Sequence, residues 1–295
     1  MIAVSRDRAD AGPFPRSRLD QPGPARPERH LAAAGPLLHT RFSLEPGRTL
    51  LDAVAGPLAA MGMRGGVVHL HGGSFDPFAY VMPALTTDAV HAAWYSDTYR
   101  PAGETRLEAA TATLGERDGV PFLHIHGVWT EPDGRRRAGH LLPGEVVVRA
   151  PCEAEAWGTA AAVWRVEPEA ETNFSLFTPS PVGGEGASVL LKVQPNEELF
   201  EAVEAACAGR GIRKARLRGL GSIVRPVFAD GRMVPTDASE LFVRDGIVGP
   251  GEDGRPRASI DIAVVDVDGT IHEGPLQRGS NAVCITCELH LEVVE

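Results

Sequence analysis

Three histidines in one short stretch have the spacing of a metal centre. His124 and His126 lie in the apolar run Val120–Trp129, and His140 follows fourteen residues after His126. If this run is a strand, its period of two puts both rings on one face, and the turn at 132–134 brings His140 back toward them. Neutral imidazole binds zinc, copper, iron or nickel, and three protein ligands with one open position are typical of catalytic zinc. The sequence therefore predicts a divalent metal site, with zinc favoured.

A metal-dependent reaction also needs groups that carry protons and hold the substrate. Glu108 and Glu153 are the candidate catalytic carboxylates, because both lie on strands expected beside the histidines. The alternative for each is a surface carboxylate in solvent. Arg106 is a candidate for binding a substrate carboxylate through two parallel hydrogen bonds.

A second histidine pair, His69 and His71, repeats the spacing on another expected strand. Residues two apart on a strand share a face, so the pair is a candidate for substrate binding or for further metal ligation. The alternative is that both rings bond to backbone beside Gly72 and Gly73 at the end of the strand. Both interpretations stay open from the sequence.

The order of elements that must position these residues occurs twice. Residues 42–74 and 191–222 each predict a strand, a Pro-containing turn, an amphipathic helix, a strand and a Gly-Ser turn. Few helices and many short alternating strands predict an α+β fold with two tandem homologous domains, each a mainly antiparallel sheet flanked by helices. The expected divisions are a disordered tail at 1–38, a first domain at 39–178, a Pro- and Gly-rich linker at 179–187 and a second domain at 188–295.

The second repeat is expected to lack the three-histidine site. Asp-Gly turns recur at a constant offset in the two halves, and this offset aligns the histidines with other residues, namely His124 with Ser259, His126 with Asp261 and His140 with Pro275. A proline side chain has no ligand atom, so the cluster cannot form there. We hypothesise that the first domain holds the reactive centre and that the second stabilises assembly or shapes the substrate pocket.

Composition limits the classes of partner and compartment. A net charge of −10 repels a phosphate backbone, which disfavours nucleic acid as a partner. The sequence has no apolar stretch of membrane-spanning length and no basic-then-apolar leader, so we expect a cytoplasmic protein without a membrane partner. Four cysteines are too few for a disulfide framework.

Both halves resemble the plants and prokaryotes conserved (PPC, or PCC) domain, which follows AT-hooks in some plant nuclear proteins. The resemblance covers about residues 41–170 and 188–295 and is carried by the strand-turn-helix opening, the segment Pro121–Trp129 and Gly139-His140. It implies an antiparallel sheet flanked by helices, a trimeric assembly, and three histidines that hold a metal such as zinc in some members. No AT-hook is present in this chain.

These observations favour a metal-dependent enzyme that hydrates, eliminates from or hydrolyses a small anionic metabolite. The motivation is the three-histidine site with an open coordination position. One alternative is a metal- or ligand-sensing module without chemistry. Another is a DNA-binding regulatory protein, because prokaryotic members of the resembled family commonly carry that label.

Overall fold

A computed structural model of the chain describes residues 4–6, 16–86, 88 and 90–294. The tail predicted to be disordered falls partly at residues 1–3 and 7–15, which lie outside the described residues. Two large sheets account for most of the described chain, and the chain forms mainly antiparallel structure, as expected.

The first half of the chain, up to residue 181, contains one helix and sixteen of the described strands. The helix is α1 (Leu50–Ala60). The strands are β1 (Val4–Arg6), β2 (Ser17–Leu19), β3 (His30–Gly35), β4 (Leu38–Leu44), β5 (Gly65–His71), β6 (Ser74–Phe75), β7 (Tyr80–Val81), β8 (Pro83–Ala84), β9 (Trp94–Tyr95), β10 (Thr105–Arg117), β11 (Val120–Thr130), β12 (Arg136–Leu141), β13 (Val148–Ala150), β14 (Cys152–Thr159), β15 (Ala162–Pro168) and β16 (Ser175–Pro181).

The second half contains one helix and six described strands. The helix is α2 (Leu199–Gly209), and the strands are β17 (Ser188–Val193), β18 (Ala215–Val224), β19 (Ser239–Pro250), β20 (Pro256–Asp266), β21 (Ile271–Pro275) and β22 (Ala282–Val293). The main path of the first sheet runs β4-β14-β5-β10-β11-β12-β7, and the second sheet runs β21-β20-β19-β18-β22-β17-β3. All neighbouring strands on these two paths pair in the antiparallel direction.

Each half has one helix among its described residues, which is less than the flanking layers of helices that were expected. Helix α1 begins after Thr49, whose hydroxyl accepts a hydrogen bond from the backbone N–H of Asp52 and so caps the first turn. Helix α2 begins after Glu198, whose carboxylate caps it in the same way. Each helix packs its apolar side into the core of its own half.

Alternation along the strands separates two apolar cores from a polar layer between the sheets. On β11, Leu123 and Ile125 pack into the first core, so His124 and His126 face the other side. On β22, Cys287, Leu289 and Leu291 pack into the second core, which turns Glu288 and His290 away from it. The two sheets therefore face each other with these polar side chains between them, beside a small apolar cluster of Val128, Ala138, Leu220, Phe242, Ala263 and Val265.

The tail and linker predictions require correction. Residues 16–38 contain β2, β3 and the start of β4, and β3 pairs with β17 as an edge of the second sheet. The Ala-rich segment can do this because small apolar side chains such as Ala33 and Ala34 become buried against the second half. The predicted linker also begins too early, because β16 extends to Pro181.

No helix in the described part of the chain has the length and apolar character needed to cross a membrane.

Candidate metal centre

Strand pairing brings the three predicted ligands together. His126 lies directly opposite His140 in the antiparallel pair β11–β12, and His124 lies two residues before His126 on the same face. Gly139 allows β7 to approach, since a Cβ there would lie 2.5 Å from the carbonyl oxygen of Val81. One ligand atom from each histidine falls within 4.8 Å of the others, which is a grouping able to hold a metal ion.

The tautomers of two of these histidines follow from their outer partners. Nδ1 of His126 lies 2.8 Å from the backbone carbonyl oxygen of Leu241, and a carbonyl can only accept, so Nδ1 carries the proton. Nδ1 of His124 lies 3.0 Å from a carboxylate oxygen of Glu288, to which it likewise donates. When both rings are neutral, their Nε2 atoms are lone-pair donors that repel each other at their separation of 3.0 Å. A shared cation between them removes that repulsion.

Burial keeps the rings of His126 and His140 neutral. It lowers the pKa of His126 and of His140 well below the ordinary value, and the neighbouring His124 ring adds to the effect in both. Nδ1 of His140 is buried and has no hydrogen-bond partner. Neutral imidazoles with free lone pairs are the form in which histidine binds a metal.

The donor set fits a divalent ion of the zinc type. Two nitrogens bound at about 2.0–2.1 Å to one tetrahedral zinc lie about 3.3 Å apart, close to the observed separation of the Nε2 atoms of His124 and His126. Metal-binding histidines usually donate their other N–H to a carboxylate or a backbone carbonyl. Glu288 and Leu241 supply one of each.

The carboxylates near the centre come from the second half, and sequence analysis missed them. Glu288 is 2% exposed and bonds His124, while an oxygen of Glu240 lies 3.9 Å from Nε2 of His126. The other oxygen of Glu240 is buried without a hydrogen-bond partner, and burial raises the pKa of this carboxyl well above its ordinary value. The sequence around Glu288 alternates between apolar and polar residues, which indicates only that Glu288, His290 and Glu292 share one face of a strand.

A cavity of about 60 Å³ opens beside His124 and His126, between the two halves. A single water molecule needs only about 10–15 Å³. The cavity is several times larger and can therefore admit a small molecule. Its walls include Trp94, Tyr95, Phe174, Glu240, Cys284 and Thr286. Burial raises the pKa of Cys284 to about 12, so this thiol stays protonated at neutral pH.

The candidate catalytic and anion-binding residues of the first half lie elsewhere. Glu108 is exposed and accepts hydrogen bonds from Arg136 at 2.8 Å and Thr130 at 3.2 Å. Glu153 is exposed on β14, and the Arg106 side chain is 77% exposed beside Glu104. None of the three lines the cavity. The sequence placed them on neighbouring strands, but it did not determine which face or end of those strands they occupy.

The pair His69 and His71 also stays outside the cluster. In the sheet, His69 lies opposite Thr111, which lies opposite His126, so two strand spacings, or about 10 Å, separate the two histidine positions. His69 packs edge-on against Trp157 at 5.2 Å, and burial lowers its pKa to about 3. His71 is exposed at the strand end. Their predicted part in substrate binding remains a prediction.

The second half pairs the aligned residues in the same register without forming a cluster. Asp261 lies opposite Pro275 in the pair β20–β21, as His126 lies opposite His140. Asp261 forms an ion pair with Arg244 at 3.6 Å. Within the described residues, His124, His126 and His140 are the single group of three found with metal-binding proximity.

Comparisons with known proteins found no matching family model and no matching curated protein. Among solved structures, the chain is similar to a plant- and prokaryote-conserved (PPC) protein of Pyrococcus horikoshii, with 18% identity, a TM-score of 0.38 and coverage of 48% of this chain and 90% of that one. It is similar to the metal-containing protein AF0104 of Archaeoglobus fulgidus, with 16% identity, a TM-score of 0.39 and coverage of 48% and 92%. It is also similar to a Bacteroides thetaiotaomicron protein whose name proposes DNA binding, with 14% identity, a TM-score of 0.37 and coverage of 48% of this chain and 91% of that one.

Solved PPC proteins are thus among the structures similar to this chain, as the sequence resemblance predicted. Our expectation against nucleic acid as a partner stays a prediction. An electrophoretic shift assay over a salt series tests it, because phosphate contacts weaken steeply as salt rises. The trimer stays a prediction too, and sedimentation analysis tests it.

Proposed function

We propose that the chain is a metal-dependent enzyme that hydrates, eliminates from or hydrolyses a small molecule held in the cavity between its halves. The observation that carries the proposal is the 3.0 Å approach of the Nε2 atoms of His124 and His126 beside the unpartnered Nδ1 atom of His140. Their donor chemistry favours zinc. A divalent ion supplies Lewis acidity that polarises an oxygen of the substrate.

The second half contributes the groups that position and protonate. Glu288 and the Leu241 carbonyl fix the ring orientations of His124 and His126 by accepting their Nδ1 protons. Glu240 is the proton carrier, since it lines the cavity and one of its oxygens has no other partner. Tyr95 lies against His140 at a ring separation of 5.4 Å, and burial raises the pKa of its phenol, which therefore keeps its proton.

Elemental analysis of protein purified without an affinity tag tests the metal site. We expect about one zinc per chain in the wild type and almost none in His124→Ala. His71→Ala is the matched control, because His71 is exposed and outside the cluster. Equal metal content in both variants, or no metal in wild type grown with ample zinc, would overturn the proposal.

Hydrolysis of p-nitrophenyl acetate, a small uncharged ester, tests for turnover. We expect a rate that disappears on treatment with a chelator, returns with zinc and falls about 100-fold or more in Glu240→Gln. Glu108→Gln is the control, since Glu108 is exposed and paired with Arg136. A metal-loaded protein without any such rate would instead support a sensing module, and a rate unchanged by Glu240→Gln would remove Glu240 from the chemistry.

A further inference from the structure

We infer that the cavity selects substrates whose body is apolar and uncharged, with a single polar group besides the oxygen that faces the histidines. This inference rests on the proposed function and names its substrate class. It replaces the small anionic metabolite expected from the sequence with an aryl or alkyl carbonyl compound, ester or alcohol.

Aromatic rings form one wall of the cavity. Phe174 lies 5.1 Å from Trp94 and 6.2 Å from Tyr95, measured between ring centroids. Both of the latter belong to the short hairpin β8–β9, in which Pro83 pairs with Tyr95. The hairpin is tied to the segment after residue 168 by a 2.8 Å hydrogen bond from the Asn173 side chain to the carbonyl oxygen of Val90. Such rings favour a flat apolar group between them.

Apolar side chains also come from elsewhere in the chain. Leu176 belongs to β16, while Ala238 and Ile285 belong to the second half, and all three line the same space. An apolar group in the cavity would thus contact apolar side chains from both halves of the chain. Burying it there gains free energy in proportion to the apolar area removed from water.

The charges of the walls disfavour an anionic body. Across the described residues, neither lysine nor arginine lines the cavity, and the one carboxyl group among its walls is that of Glu240. A carboxylate on the far end of a substrate would lose its water without gaining a cation. That desolvation is costly for an unpaired charge.

The hydroxyl groups of the walls leave one position for a polar group. Ser239 donates to the carbonyl oxygen of Ile223, and Ser222 accepts from the backbone N–H of Ile285. The hydroxyl of Thr286 is buried, with the residue 3% exposed, and it has no hydrogen-bond partner. A buried hydroxyl without a partner is costly, so a carbonyl or hydroxyl of the substrate is its natural complement.

Three probes with the same metal-binding head test the inference. Cobalt-loaded protein is titrated with acetohydroxamic, benzohydroxamic and 4-carboxybenzohydroxamic acids, and the visible absorption of cobalt reports binding at the metal. We expect benzohydroxamic acid to bind about tenfold more tightly than acetohydroxamic acid, because of its buried phenyl group. The added carboxylate should cancel that gain. Equal binding of all three would overturn the inference and leave the metal site intact, whereas failure to take up cobalt would overturn the proposed function itself.

Two variants in one hairpin region locate the apolar wall. Trp94→Ala removes a side chain that lines the cavity but is 44% exposed, so little core packing is lost. We expect the phenyl preference to shrink toward one. Leu85→Ala is the control, because Leu85 is 57% exposed and does not line the cavity, and it should keep the preference. Equal preferences in the two variants would overturn the assignment of this wall.

Discussion

The pair His126–His140 of the first sheet and the pair Asp261–Pro275 of the second have the same strand register but different chemistry. Both are directly opposed residues in antiparallel pairs of neighbouring strands. The second pair forms without any imidazole, so this register does not depend on the histidines. The strand register alone therefore does not explain why histidines occupy these positions in the first sheet.

The two pairs also differ in how they use the opposite half. The first depends on it, because Leu241 and Glu288 fix the rings of His126 and His124. Near the second pair, Glu273 forms a half-exposed ion pair with Arg136 of the first half. The interface between the halves thus orients the histidine rings at one end, and at the other end it forms an ion pair that is screened by solvent.

The largest expected difference between the two pairs is in bound metal. His126→Ala should reduce metal from about one ion per chain to nearly none, because only two imidazoles remain. Asp261→Ala should leave the metal content unchanged, since Asp261 belongs to a different pair and contacts Arg244. Elemental analysis of both proteins decides this, and equal losses would defeat the asymmetry between the halves.

Glu288→Gln tests whether the second half completes the first-half site. We expect metal affinity to fall about 10–100-fold, because a carboxylate that orients a ligand is replaced by a neutral amide. Competition with a coloured chelator measures the affinity. Glu292→Gln is the matched control four residues along the same strand face, where the carboxylate pairs with Arg218 at 2.8 Å instead. An affinity that is unchanged in Glu288→Gln would show that the second half only packs against the site.

The polar layer between the sheets should also make the fold sensitive to acid. Burial lowers the pKa of His290 to about 3, and its Nε2 lies 2.9 Å from the Ser188 hydroxyl. Below about pH 6.5 the unfolded chain binds a proton at His290, whereas the folded chain does so only near pH 3. The free energy of unfolding therefore falls as pH falls between these two values. His290→Gln should remove about 1.4 kcal/mol per pH unit of that slope between pH 6 and 4. Urea denaturation at several pH values measures it, and parallel slopes would contradict it.

The smallest expected effect concerns the ion pair between Arg136 and Glu273. The hydrogen bond from Arg136 lowers the pKa of Glu273, so the contribution is present above the unfolded pKa and is lost as pH falls through the folded one. The side chains are 43% and 33% exposed, which screens the pair. Arg136→Met should cost less than about 1 kcal/mol of unfolding free energy near pH 7. A cost of several kcal/mol would mean that this end of the interface is not solvent-screened.

Sequence reasoning grouped the three candidate ligands because their spacing encodes local geometry. A period of two on β11 and a turn before His140 are enough to bring His124, His126 and His140 together. Local patterns also led to Glu108 and Glu153 as candidate carboxylates, and neither of them lines the cavity. Glu240 and Glu288 are more than 100 positions away from the histidines they face, and no local pattern carries that information.

The sequence by itself determined the mainly antiparallel strands, the two recurring strand-helix-strand segments and the grouping of three histidines in the first half, because alternation, turns and residue identity are local properties. Tertiary structure decided that the Ala-rich segment at 30–35 joins the second sheet and that the second half orients the ligands and supplies Glu240. It also decided that the cavity is lined largely by apolar side chains and by no lysine or arginine among the described residues. These features arise where two faces meet, and which faces meet depends on the packing of the whole chain.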